Sequence, residues 1–271
     1  MFWRKVNISR IKSQSKEDLQ DIVLIEQPVD ILVNSKPLVN IICLPKDLKE
    51  LTYGFLFSIG IINSVDDVKD IEVSESDNLI KIRLQDTLDF NVEDIDITPV
   101  SRVVDTTCGI SSPWRKLIKN RLDEAKVKEK LWIDNHLSIK SELIFTAIKK
   151  MQLETPLYRE TGGCHGAAIF DIKGNLLSAK EDIGRHNAID KVIGEMLLNN
   201  DSFKDVFLIS TGRLTSDSVL KAIRAKIPII VSISAPIESG IKLAYAYGIT
   251  LIGFARGKRM NIYTHPERIE L

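Results

Sequence analysis

Val206-Phe-Leu-Ile-Ser210, Ile229-Ile-Val-Ser-Ile-Ser234 and Thr250-Leu-Ile-Gly-Phe254 are three short apolar runs rich in β-branched residues. Helical stretches at 215–225 and 239–247 separate them. Strand–helix–strand at this rhythm predicts right-handed crossovers and a largely parallel sheet covered on both faces. Ligands of such sheets bind beyond the carboxyl ends of the strands. Three polar tips are expected there: Ser210-Thr211-Gly212-Arg213, Ser234-Ala-Pro-Ile-Glu-Ser239 and Phe254-Ala255-Arg256-Gly257-Lys258-Arg259.

Upstream, Ala167-Ala-Ile-Phe-Asp171 and Leu176-Leu-Ser-Ala179 pair across Lys173-Gly174-Asn175, a hairpin signal. A helix follows at 187–198. Residues 161–191, TGGCHGAAIFDIKGNLLSAKEDIGRHNAIDK, are the densest polar cluster of the chain. Gly162-Gly163 permits close backbone approach to a ligand, and Cys164 and His165 stand side by side. Adjacent residues on a strand point to opposite faces, so that pair is not automatically a catalytic dyad.

The first half reads differently. Alternating runs at 21–26, 30–34 and 38–43 predict strands, the last two joined by a hairpin turn at Asn34-Ser35-Lys36-Pro37. A helix opens at Pro45-Lys-Asp-Leu48 and ends near Gly60, and a second hairpin turns at Ser76-Asp77-Asn78. Residues 90–113 read as an irregular polar loop, residues 114–130 as a highly charged helix, and residues 141–151 as an amphipathic helix. Two regions are expected: an α+β unit over 1–135 and an α/β unit over 136–271.

The 271 residues carry 37 basic and 37 acidic side chains, and zero net charge argues against a protein built to coat nucleic acid. No apolar run approaches the roughly 20 residues of a spanning helix, and the first residues lack a signal-peptide core. A cytoplasmic location is the expectation. Three cysteines form no paired framework, which suits a reducing compartment. Cys43 ends an apolar strand and reads as a small core residue. Cys108, in Thr106-Thr-Cys-Gly-Ile-Ser-Ser-Pro113, is the strongest nucleophile by position, because a hydrated loop lets a thiol ionise. An incidentally packed thiol is the competing reading.

No metal site is expected, since CxxC, HExxH and the HxE/PCxxC pair of zinc deaminases are all absent. Gly163, Thr211, Arg213 and the basic tip instead offer backbone donors, a hydroxyl and cations suited to pyrophosphate. The competing reading of each tip is a solvated surface turn. Neither a P-loop nor GxGxxG is present.

Beyond these local readings, the chain resembles the FdhD family, sulfur carriers required for formate dehydrogenase activity. The resemblance is carried by Leu44-Pro-Lys-Asp-Leu-Lys-Glu-Leu-Thr-Tyr-Gly-Phe-Leu-Phe-Ser-Ile-Gly-Ile-Ile62, Thr161-Gly-Gly-Cys-His-Gly-Ala-Ala168 and Glu181-Asp-Ile-Gly-Arg-His-Asn-Ala-Ile-Asp-Lys-Val-Ile-Gly194. Ser210-Thr-Gly-Arg213 and Gly253-Phe-Ala-Arg-Gly257 continue it. It implies a persulfide on Cys108, loaded by a cysteine desulfurase and passed to bis-molybdopterin guanine dinucleotide bearing molybdenum or tungsten. Formate dehydrogenase is the implied client. The cofactor would be held by Phe254, Ala255, Arg256, Gly257, Lys258 and Arg259, with Gly163, His165, Thr211 and Arg213 nearby. The carboxy-terminal half would take a cytidine-deaminase-like α/β/α fold without the deaminase zinc, beside a smaller β-rich α+β unit, in a homodimer. One departure stands out: the family's loop usually carries C-x-x-C, and here it reads Cys108-Gly-Ile-Ser111. That substitution motivates a second reading, a non-catalytic chaperone that binds the cofactor for its enzyme.

Overall fold

The computed structural model describes residues 2–88, 90–95, 102–104 and 137–271. The chain opens with an antiparallel hairpin of β1 (Trp3–Lys12) and β2 (Ser15–Leu24), which forms a two-stranded sheet of its own. There follow β3 (Gln27–Val33), β4 (Lys36–Cys43), α1 (Leu48–Ser58), β5 (Val68–Ser74), β6 (Leu79–Leu84) and β7 (Val103–Val104). These strands make a five-stranded sheet in the order β5-β6-β3-β4-β7. The second half contains β8 (Ile139–Lys140), α2 (Ser141–Glu154), α3 (Pro156–Thr161), β9 (His165–Asp171), β10 (Leu176–Asp182) and α4 (Arg185–Leu198). It continues with β11 (Val206–Ser210), α5 (Ser216–Arg224), β12 (Ile229–Ser232), α6 (Glu238–Tyr247), β13 (Thr250–Arg256), β14 (Arg259–Thr264) and β15 (Ile269–Glu270).

The three apolar runs pair in parallel as expected, with Phe207 opposite Ile229 and Ile229 opposite Thr250. The whole sheet is not largely parallel, however. Its order is β10-β9-β11-β12-β13-β14, and β9, β10 and β14 run antiparallel to their neighbours. The cause is connection length: turns as short as those at 172–175 and 257–258 can only join antiparallel strands. The longer crossover through α4 joins β10 to β11, which point the same way with β9 between them.

Alternation along the strands fills two cores. Val206, Leu208, Ala167, Ile169, Ile230 and Leu251 pack towards α4, α5 and α6. Phe207, Ile209, Ala168, Phe170, Val231 and Ile252 pack towards Ile144, Ala147, Ile148 and Met151 of α2. The second face is stiffened by stacked Phe170 and Phe207 rings, 5.6 Å apart.

In the first half, the tight β3–β4 turn holds Asn34 and Ser35 at φ of 50° and 67°, the primed geometry that matches strand twist. Helix α1 begins at Leu48 rather than Pro45, because Asp47 sits in the left-handed region at φ 53°. The hairpin β1–β2 was not foreseen, since its alternation is masked by charged residues on both faces. The loop expected at 90–113 is described only at 90–95 and 102–104, and the charged helix at 114–130 lies outside the described residues.

The inner face of the five-stranded sheet, including Val29, Ile31, Ile41, Ile80 and Ile82, joins the same core as α1 and α4. Helices α1 and α4 cross with backbones nearly touching. A Cβ at Gly54 would run into the carbonyl of Asp190, and one at Gly194 into the carbonyl of Glu50. Buried charges reinforce the joint. Asp182 Oδ2 lies 2.7 Å from Lys191 Nζ and accepts the Leu44 N–H at 3.1 Å, while Oδ1 accepts the Gly184 N–H and the Asn187 side-chain amide. Lys191 Nζ also donates to the carbonyls of Leu44 and Glu181, and Asn187 Nδ2 donates to the carbonyl of Ile42. Beside this clamp, Asp190 accepts from Lys221 Nζ at 2.6 Å and from the Ser58 hydroxyl at 2.7 Å.

Both features make predictions. Gly54→Ala and Gly194→Ala each force the helices apart, and each is expected to cost at least ~2 kcal/mol in denaturant unfolding. Their effects in the double variant should be less than additive, since one separation relieves both clashes. Lys191→Met strands the Asp182 carboxylate in the interior and should cost ~3–5 kcal/mol, with Asp182→Asn added to it recovering part of the loss. A Lys191→Met unfolding midpoint equal to the parent's would contradict the clamp.

Candidate functional site

The edge of the six-stranded sheet where β11, β12 and β13 end carries a cavity of about 660 Å³. Its wall includes Gly163, Cys164, His165, Thr211, Ser234, Arg256 and Gly257. Thr211 and Ser234 follow the carboxyl ends of β11 and β12. His165 arrives by a different route. Because β9 runs antiparallel to β11, with Ala167 opposite Ser210, its amino end lies beside the carboxyl end of β11. The glycine cluster and the strand tips are therefore brought to one place.

Thr211 locks this junction. Its N–H donates to the Gly166 carbonyl at 3.0 Å, and its hydroxyl oxygen accepts the Gly166 N–H at 3.1 Å. The same hydroxyl lies 3.1 Å from His165 Nδ1, fixing the ring. Burial, assisted by the positive charges of Arg185 and Arg213, holds the His165 imidazole below its usual range, so it is neutral at pH 7. Arg213 itself is exposed and is not part of the cavity wall. It acts on the site through that charge.

The basic tip divides. Arg256 and Gly257 reach the cavity. Phe254 adopts φ 53°, an unusual conformation for a bulky side chain, and its N–H donates to the Ser234 carbonyl at 2.9 Å. This kink and the positive φ of Gly257 turn the end of β13 towards the wall formed by Ser234. Ala255 packs in the core with Phe207 and Ile252. Lys258 and Arg259 are exposed beyond the cavity wall.

The two described cysteines are poor nucleophiles. Cys43 is fully buried, and its thiol is pushed up to about 12 by burial and by Asp182. Cys164 lines the cavity but is only 4% exposed, and burial with Glu181 and Asp182 raises it to about 12 as well. Thiolate is the reactive form, and here both groups stay protonated at neutral pH. Cys108 lies outside the described residues. Of the signature at 181–191, only Ile183 lines the cavity. Glu181 accepts the Tyr158 N–H at 2.6 Å, bracing α3 beneath the glycine cluster, and Asp182, Asn187 and Lys191 form the clamp.

Sequence reading missed one wall entirely. Phe145, Ile148, Lys149 and Gln152 of α2, with Tyr158 of α3, complete the cavity. Their spacing of i, i+3, i+4 and i+7 was visible in the sequence, but a helical stripe is ordinarily core. Among the described residues no group of three or more His, Cys, Asp or Glu side chains is placed to hold a metal ion. No helix among them is long and apolar enough to cross a membrane.

Comparison with known proteins gives one consistent result. The FdhD/NarQ family model matches residues 24–270. The sulfur carrier protein FdhD of Sulfolobus acidocaldarius is 38% identical over 269 residues, covering 99% of each chain. That of Bacillus subtilis is 34% identical over 253 residues, covering 93% of this chain and 91% of its own. The crystal structure of a candidate formate dehydrogenase accessory protein from Desulfotalea psychrophila superposes with a TM-score of 0.76 at 27% identity, covering 100% of both chains. The order of the matched segments, their near-complete coverage and the shared architecture lead to one conclusion: the chain belongs to the FdhD/NarQ family.

Proposed function

We propose that this chain is a sulfur carrier for formate dehydrogenase, with Cys108 bearing the sulfur and the sheet-edge cavity receiving the acceptor. The observation that carries the reading is the convergence of Gly163, His165, Thr211 and Arg256 on one cavity wall. The full-length relatives named as sulfur carriers supply the cargo. The burial of Cys43 and Cys164 supports Cys108 by elimination.

In this reading Cys108 thiolate attacks the outer sulfur of a persulfide on a cysteine desulfurase. The donor's S–S bond breaks, the donor leaves as thiolate, and a persulfide forms on Cys108 with no net oxidation. The acceptor, and the substrate of the transfer, is bis-molybdopterin guanine dinucleotide bearing molybdenum or tungsten. Its pyrophosphates suit Arg256, Gly162 and Gly163 leave room for close approach, and neutral His165 can donate or accept a hydrogen bond without adding charge. With Ser111 in place of a second loop cysteine, no disulfide can form within the Cys108 loop motif. The outer sulfur would pass directly to the acceptor, which supplies the electron pair, as the S–S bond breaks and Cys108 leaves as thiolate. The protein works in the cytoplasm as a homodimer, and its carboxy-terminal half is of the cytidine-deaminase-like type. The homodimer and the fold type rest on the resemblance.

The chaperone reading remains distinct, since the described wall holds no ionised thiol. Incubation with a desulfurase and cysteine should add one sulfur to the intact mass, and Cys108→Ala should abolish the addition along with formate dehydrogenase maturation. Full maturation by Cys108→Ala, with loss in Arg256→Ala, would replace the carrier by the chaperone. A separate test reads the thiols. At neutral pH iodoacetamide should modify Cys108 first, while Cys43 and Cys164 react only slowly. Below about 12 the reaction of Cys164 should quicken with rising pH as its thiolate fraction grows. Rapid alkylation of Cys164 at neutral pH would remove the elimination argument.

A further inference from the structure

We infer that helix α2 supplies the selecting wall of the cavity, with Lys149 as a second cation for the phosphates of the ligand and Phe145 as the face for a planar ring. This rests on the cofactor reading above and extends it to residues outside the matched signatures. The helix divides cleanly by face. Ile144, Ala147 and Met151 sink into the core, while Phe145, Lys149 and Gln152 turn to the cavity together with Ile148 at their margin.

Charge is the first argument. Among the described residues Lys149 and Arg256 line the cavity and no carboxylate does, and neither cation forms an ion pair with a described residue. Lys149 also lacks an acidic neighbour three or four positions away on the helix, where Phe145, Thr146, Gln152 and Leu153 stand. Two cations from separate elements, uncompensated over a shared space, define a site for a dianionic or more highly charged group. Shape and polarity are the second argument. Phe145 is half-buried in the same wall, and Gln152 lies two turns further along the same face, offering both a donor and an acceptor. A ring over Phe145 with its edge towards Gln152 and its phosphates between Lys149 and Arg256 satisfies all four residues at once.

Calorimetric titration of the full-length protein with guanosine diphosphate and with inorganic pyrophosphate tests this. Lys149→Gln should weaken both probes about tenfold and flatten the salt dependence of binding. Phe145→Leu preserves apolar bulk but removes the ring, and it should weaken guanosine diphosphate about tenfold while leaving pyrophosphate unchanged. Lys150→Gln, one residue away and outside the wall, should change neither. Parent-like binding in Lys149→Gln, with loss in Arg256→Ala, overturns the role of α2 and leaves the cavity reading standing. Equal weakening of both probes by Phe145→Leu overturns the ring contact. Failure of the parent protein to bind either probe overturns this inference and the cofactor reading together.

Discussion

A buried carboxylate, Asp182, is the centre of the contacts that tie the two halves of the molecule together. It ends β10, pairs with Lys191 on α4, and accepts the backbone N–H of Leu44, immediately after β4. A buried ion pair is weak evidence for stability, because desolvation offsets much of the attraction. Its value here is geometric. Asp182 and Lys191 together touch backbone groups of Leu44, Glu181 and Gly184, so only one docking of the first sheet satisfies them. The glycine crossing of α1 and α4 then lets the backbones close until the apolar cores merge. Asp182 is also the cross-strand partner of His165. The clamp and the cavity share the open end of the β9–β10 hairpin, so the position of one fixes the other.

The cavity owes its composition to the antiparallel insertion of β9. In an all-parallel sheet only loops leaving the strands would meet at the carboxyl edge. With β9 reversed, the loop entering it meets the loop leaving β11, and Thr211 stitches them through Gly166 and His165. Phe254 then bends β13 against Ser234 and presents Arg256. Polar groups from three distant segments are thus held by backbone hydrogen bonds rather than by long side chains. That is the preorganisation a binding site for a large anion needs.

Much of this was legible from sequence where periodicity decides structure. The apolar runs at 206–210, 229–234 and 250–254 form strands at 206–210, 229–232 and 250–256, and the turns at Asn34-Ser35 and Gly174 are found where turn chemistry puts them. Strand β14 was not legible at all, because its residues Arg259–Thr264 are mostly exposed and show no alternation of buried and exposed positions. The polar segment at 181–191 shows a different limit of composition as a guide. A dense row of acids, Arg, His and Asn signals a site, yet Asp182, Asn187, Asp190 and Lys191 are spent on buried structural contacts. Satisfaction of a polar group depends on what folds against it, which is information held by residues 42–58 rather than by the segment itself. The stripe at Phe145, Lys149 and Gln152 failed in the opposite sense, reading as one side of an ordinary amphipathic helix while facing a cavity.

The same logic separates the two cysteines that compete for the chemistry. Cys164 sits in the wall, next to His165, and proximity favours it. Its surroundings do not: the carboxylates of Glu181 and Asp182 and its own burial oppose ionisation, and with a pKa near 12 the thiolate fraction at neutral pH is roughly one in 10⁵. Moving those carboxylates away is not open to the protein, because Asp182 is the clamp and Glu181 braces α3. The structural duties of the signature therefore oppose ionisation of the Cys164 thiol. In the proposed reading, sulfur therefore reaches this cavity on a thiol from outside its described wall.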